Sequence, residues 1–273
     1  MGTGLTVHTI DGYISTIYLV EYDSGLLLLD SGCRNDVKRI EVFVQEKLQR
    51  SLPDVKLAVA THMHPDHSGG AALLRKRYGI PIAAHQDADR WYAGIGGHLQ
   101  HKLDCYMAHG VARRNHRHFE RLLFHPRLVP NHPLQNGQPL PGFEDWQAIC
   151  LAGHTLHDLA LFNAEKGLLY IADYICQVKD TLQLPLPVLF PEQMARSYER
   201  LAALNASTLL LAHGDPIPGD TGQVLNTMKQ KLSQPPNRIM KRVHYMSIYS
   251  PEARKLWRKK NQRKGDVGDA DFR

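Results

Sequence analysis

The stretch 61-THMHPDHSGG-70 packs three histidines and one aspartate into the six residues from His62 to His67, directly behind the apolar run 55-VKLAVAT-61. A strand end that opens into a tight loop fans out alternate side chains. His62 and His64 then point to one side, while Asp66 and His67, at the start of a helix, reach a neighbouring point. Such a cluster supplies ligands for two metal ions rather than one. Neutral imidazole and carboxylate suit zinc, and also iron, manganese or cobalt. The four cysteines (Cys33, Cys105, Cys150, Cys176) are scattered without a CxxC pair, so reduced thiols are expected and any metal site rests on His and carboxylate.

Working outward, residues 5 to 30 carry short apolar and β-branched runs broken at Asp11-Gly12 and Asp23-Ser24-Gly25, which predicts a β-meander. Asn35 to Gln49 has helical apolar spacing, Asp66 to Tyr78 reads as helix, and IPIAAH as a buried strand. Further strands are expected at WQAICLAG, LALFN, GLLYIAD and STLLLAH, with helices over PEQMARSYERLAALN and Gly222 to Leu232. This alternation is an α/β order. Two strand-rich halves with helices outside them fit a four-layer αββα sandwich.

Between about residues 91 and 142 the pattern changes to a His- and Arg-rich stretch, read as a helical insert that acts as a lid. Arg113, Arg114 and Arg117 are placed on a helix whose Val111, Phe119, Leu122 and Leu123 face inward, so that the arginines meet an anionic substrate group. The insert's other histidines (His98, His101, His109, His116, His118, His125) lack the spacing of the main cluster and read mostly as a solvated face.

The HxHxDH pattern of His62, His64, Asp66 and His67 resembles the metallo-β-lactamase superfamily. The resemblance continues through Gly153-His154-Thr155, Ala172-Asp173 and Ala212-His213-Gly214, in the family's order, from residue 5 to about 230. It implies the αββα metallo-β-lactamase fold over residues 1–232 and a basic extension over 233–273. It further implies one metal on His62, His64 and His154, a second on Asp66, His67 and His213, and Asp173 as the bridge. Two ions about 3.5–4 Å apart share a water and lower its pKa towards about 7, giving a bridging hydroxide as nucleophile. Asp66 then orients the hydroxide or returns a proton to the leaving group. Asp at the fourth position looks like the glyoxalase II branch rather than the β-lactamases that carry Cys there. Acyl-homoserine lactonases share these ligands, but where they place a Tyr three residues after the bridging Asp this chain has Cys176, with Tyr174 next to the Asp. His157, three residues after a ligand, is a candidate to contact the metals' surroundings or the substrate.

Composition is that of a folded globular chain, with 43% hydrophobic and 22% charged residues. From Lys229 onward there are 13 Lys or Arg against four acidic residues, a surplus of nine, so the formal +6 leaves the preceding 228 residues net acidic by three. The high pI therefore belongs to the tail, which reads as a helix with a charged outer face starting near Pro251, with Leu256 and Trp257 docking on the body. The opening MGTGLTVHTIDGY shows no basic segment followed by an apolar stretch, and no run has the length of a membrane span. A cytoplasmic location is expected.

The expected activity is hydrolysis of a small-molecule ester-type bond (thioester, lactone or ester) by two divalent ions, zinc foremost. The alternatives are a phosphodiesterase or nuclease, suggested by the basic tail, and a non-catalytic metal-binding signalling protein on the same fold.

Overall fold

The computed structural model describes residues 4–251 and 253–255. The expected meander is present as β1 (Thr6–Asp11), β2 (Thr16–Tyr22) and β3 (Gly25–Leu29), paired antiparallel. Leu26 to Leu29 are fully buried, because Leu27 and Leu29 face one apolar layer while Leu26 and Leu28 face another. A strand buried on both faces reads as a continuous apolar run, and each leucine so buried stabilises the fold by about 1.5–3 kcal/mol.

Helix α1 (Asp36–Val42) runs into a π-helical stretch, Phe43–Lys47, and leads to β4 (Val55–Ala60), which pairs parallel with β3. The short α2 (Pro65–Ser68), with Pro65 in its first turn, carries Asp66 and His67, and α3 (Ala71–Tyr78) follows after the Gly69-Gly70 break. Then come β5 (Ile82–His85), α4 (Gly94–Arg114), β6 (His132–Leu134), β7 (Pro139–Leu140), β8 (Phe143–Leu151), β9 (Asp158–Asn163) and β10 (Leu168–Tyr170). The hairpin of β11 (Cys176–Val178) and β12 (Thr181–Gln183) precedes α5 (Pro191–Ala202), β13 (Thr208–Leu210), β14 (Ile217–Pro218), α6 (Thr221–Lys231) and α7 (Arg238–Met246).

One six-stranded sheet has the order β1-β2-β3-β4-β5-β6 and the other β14-β13-β10-β9-β8-β7. Their inner faces meet in a core where Tyr18, Leu27, Leu57 and Val59 join Trp146, Leu159, Leu161 and Tyr170. Outside the first sheet, Val37, Ile40 and Leu74 of α1 and α3 cover Leu26, Leu28 and Ala58. Outside the second, Met194, Tyr198, Leu201, Leu225 and Met228 of α5 and α6 cover Ile149, Leu169 and Leu209. The layers are helix, sheet, sheet, helix: the αββα metallo-β-lactamase fold.

The insert differs from the expectation in its extent. Its helix ends at Arg114, and at His116 the backbone turns left-handed (φ 55°), so Arg117, Phe119, Leu122 and Leu123 lie on irregular chain. Phe119 is 82% exposed and stacks on His109 instead of facing inward; Leu122 is buried. His101 is an exception to the solvated histidines, buried between Tyr92 and Phe124. Residues 132–134 and 139–140 are strands of the two sheets rather than lid. In the tail, α7 is capped by the Asn237 side chain, and Ala253 joins the core beside Trp91 and Tyr92. Leu256 and Trp257 lie outside the described residues. Among the described residues, no helix is long and apolar enough to cross a membrane.

Candidate metal centre

Four strand ends open at one edge of the sandwich. β4 runs into His62 and His64, the loop before β9 carries His154, the turn after β10 carries Asp173, and β13 runs into His213. The loop bearing His154 requires its glycine. A Cβ on Gly153 would stand 2.5 Å from Met194 Cβ and 2.7 Å from its Cα, so only glycine lets the loop pass over α5.

Two clusters result. In the first, His64 Nδ1 lies 3.1 Å from His62 Nε2 and 2.8 Å from His154 Nε2, and Asp173 Oδ2 lies 3.3 Å from His154 Nε2 and 3.8 Å from His62 Nε2. In the second, Asp66 Oδ2 lies 3.1 Å from His213 Nε2 and 3.5 Å from His67 Nε2, while Asp173 Oδ1 lies 2.9 Å from His67 Nε2 and 3.2 Å from His213 Nε2. The two oxygens of Asp173 thus face different clusters.

These spacings fit a bound cation. Ligand bonds of 2.0–2.1 Å in a tetrahedral site put donor atoms about 3.3 Å apart. His67 Nε2 and Asp173 Oδ1 are buried without a hydrogen bond, an arrangement that costs free energy unless something electrophilic sits between such atoms. The all-nitrogen and oxygen donor set suits divalent ions.

Outer contacts aim the ligand atoms. His67 Nδ1 lies 2.7 Å from Asp30 Oδ2, a carboxylate that also accepts from Thr61 N (2.7 Å), Thr61 Oγ1 (2.8 Å) and the Tyr170 hydroxyl (2.6 Å). The imidazole proton is thereby held on Nδ1, leaving Nε2 for the cluster. Sequence reasoning passed over Asp30. Its signal was an acid closing the apolar strand LLLLD, and its backbone takes the left-handed φ of 64° that places the carboxylate under His67. His154 Nδ1 donates in the same way to Pro187 O at 2.7 Å. Asp158 accepts from Thr155 N (2.9 Å), from the Thr155 hydroxyl and from the Tyr174 hydroxyl (3.2 Å), fixing the His154 loop.

The clusters differ electrostatically. Burial, reinforced by neighbouring histidines, pushes His62 well below its ordinary pKa and His64 down to about 3. Burial also opposes charge on His67 and His213, but the Asp173 and Asp66 carboxylates outweigh it, holding His67 well above its ordinary value and His213 up at about 10. Burial would raise Asp66 and Asp173, yet the adjacent histidines hold both carboxyls well below the usual range.

Above the centre lies a cleft. One face of α4 forms its roof through Asp104, Met107, Ala108 and Val111, the i, i+3, i+4, i+7 positions of a helix stripe. Neither Arg113 nor Arg117 is among its lining residues. Arg113 is exposed, and Arg117 pairs with Asp11 and donates to Gly12 O at 3.2 Å. The pairing follows from the end of the helix at Arg114, which swings Arg117 towards the loop between β1 and β2. His157 is buried 5.0 Å, ring to ring, from His85, away from both clusters, and forms with His85 and Asp87 a separate group. His85 Nδ1 accepts from Asp87 N at 3.1 Å. Tyr174 lies in the outer core of the second sheet, not in the cleft.

The family model for the metallo-beta-lactamase superfamily matches residues 10–213. The chain belongs to this superfamily. A curated relative, "Probable metallo-hydrolase YflN" of Bacillus subtilis (strain 168), is 24% identical over 233 residues, covering 78% of this chain and 85% of the relative. Among solved structures, a metallo-beta-lactamase family protein from Thermus thermophilus superposes with a TM-score of 0.60 at 23% identity, over 83% of this chain and 78% of that one. The metallo-beta-lactamase FIM-1 from Pseudomonas aeruginosa, in a mono-zinc form, gives 0.55 at 17% identity, over 85% and 91%. Likeness at these identities shows the fold. Family membership together with the two ligand clusters marks a metal-dependent hydrolase.

Proposed function

We propose that this hydrolase works with two divalent ions, zinc foremost, on an ester-type bond (thioester, lactone or ester) of a small molecule. The observation that carries the two-ion reading is Asp173, whose Oδ1 faces His67 and His213 while its Oδ2 faces His154 and His62. A carboxylate so placed would serve as the bridge between an ion held by His62, His64 and His154 and another held by Asp66, His67 and His213. When bound, such a pair polarises a carbonyl oxygen and makes water a nucleophile near neutral pH.

The chain's own residues do the rest. Asp30 and the Pro187 carbonyl fix the ring orientations of His67 and His154, so the centre needs little rearrangement during reaction. Asp66, 6% exposed at the cleft floor, accepts the proton of the attacking water and passes it to the leaving group. The apolar wall from α4 excludes bulk water and strengthens these interactions. Aspartate rather than cysteine at position 173 supports a ligand set of the glyoxalase II type.

Elemental analysis after metal-replete expression, combined with an ester, thioester, lactone and phosphodiester panel, tests this reading. Two ions per chain and turnover of carboxylic ester-type substrates are expected. Well under one ion per chain, or a fully metallated protein that turns over only phosphodiesters, would overturn it.

A further inference from the structure

The walls of the cleft have a chemistry that its floor does not dictate. Above the ligands they are formed by Ile14 from the β1–β2 loop, by Met107, Ala108 and Val111 from α4, and by Leu186 and Pro187 on the remaining side. The one ionisable side chain in the lining besides the metal ligands is an acid, Asp104, 4% exposed. It is held by the Tyr92 hydroxyl and Gln100 Nε2, both at 2.7 Å. Among the described residues, no Lys or Arg lines the cleft. Of the arginines of the expected lid, Arg117 pairs with Asp11, and Arg113 and Arg114 are exposed outside the lining.

From this wall we infer that the substrate presents a neutral, apolar acyl group to α4 and that the enzyme selects against an acyl group carrying a carboxylate. An apolar chain displaces water from Met107, Ala108 and Val111 and gains from that burial. A carboxylate in the same place loses its hydration and finds no cation on the walls. The inference rests on the hydrolase reading for the reaction, but on the cleft alone for the preference.

The test compares two thioesters of one thiol, S-butyryl- and S-succinyl-N-acetylcysteamine, on the zinc-loaded full chain. The two differ by a terminal carboxylate in place of a methyl group. The butyryl compound is expected to show a kcat/KM at least about tenfold higher, the discrimination that one or two apolar contacts provide. Val111→Arg is expected to narrow or invert that ratio. A second probe does not need turnover: butane-1-thiol and 3-mercaptopropionate, titrated against the cobalt-loaded chain by its visible spectrum, should bind in the same order. Equal or reversed preference in both experiments overturns the inference. If neither thioester is cleaved while butane-1-thiol still binds more tightly, the ester reading fails and the assignment of an apolar-selective cleft stands.

Discussion

The floor and the roof of the cleft are held by different kinds of contact. On the floor, the seven proposed ligands come from strand ends of two sheets and from α2, and two of their rings are pinned by buried partners, Asp30 beneath His67 and the Pro187 carbonyl behind His154. The roof is one face of α4, fastened at its margins. Gln100 donates to Met246 O (3.1 Å) and accepts from Tyr249 N (2.9 Å), the Tyr13 hydroxyl donates to His118 O (2.8 Å), and Arg117 pairs with Asp11. Chemistry that needs sub-ångström placement sits on the sheets, and the surface that chooses a substrate sits on an attached helix whose side chains can change without disturbing the ligands.

The comparison is broken most severely at Asp173. Asp173→Ala removes the group shared by both clusters, and hydrolysis is expected to fall to background with at most one ion retained, as read by elemental analysis beside a thioester assay. Full activity with two ions would refute the bridging role.

A pH series of metal binding separates the clusters next. His213, held up at about 10, must surrender its proton to ligate, so affinity at the second cluster should climb with pH from neutrality towards 10. The slope is about tenfold per unit for each proton displaced. In the first cluster His62 and His64 stay neutral across the same range, and only His154, where Asp173 outweighs burial and holds the ring above its ordinary value, gives up a proton, so the slope there should be shallower. Competition with a chromophoric chelator at several pH values reads both, and parallel slopes would contradict the assignment.

Asp30→Asn touches only the support of the floor and should weaken metal affinity by about 10–100-fold while leaving the butyryl-to-succinyl ratio unchanged. A changed ratio with unchanged affinity would reverse the division between floor and roof. The smallest effect is expected from Arg117→Ala. Its exposed pair with Asp11 contributes about 1 kcal/mol or less. Thermal unfolding should barely move, and kcat/KM for anionic and neutral substrates should change together; a selective loss on anionic substrates would return Arg117 to the site.

The floor was legible because its ligands punctuate apolar strands: His62 after VKLAVAT, His154 after a glycine, Asp173 after GLLYIA and His213 after STLLLA stand where an apolar pattern stops. The sandwich followed from the same runs, since period-2 burial of Leu26 to Leu29 on two faces leaves little else for them to be. Asp30 stayed hidden because an acid after a strand is also an ordinary turn residue, and only the fold brings it 2.7 Å from His67. The roof was misread for a related reason. Leu122 and Leu123 continue a helical apolar spacing past Arg114, but the chain turns left-handed at His116 and carries Arg117 and Phe119 to the surface. The residues that do line the cleft with the two His/Asp clusters, Met107, Ala108 and Val111, look like any buried helix stripe until their partner is a cleft rather than a core.

The central claim, one carboxylate joining two metal sites, is tested most directly by anomalous diffraction at the zinc edge on crystals of the zinc-loaded chain. Two peaks are expected, one among His62 Nε2, His64 Nδ1 and His154 Nε2, the other among Asp66, His67 and His213, with Asp173 between them. A single peak, or two peaks with Asp173 bound to neither or only one, would contradict it.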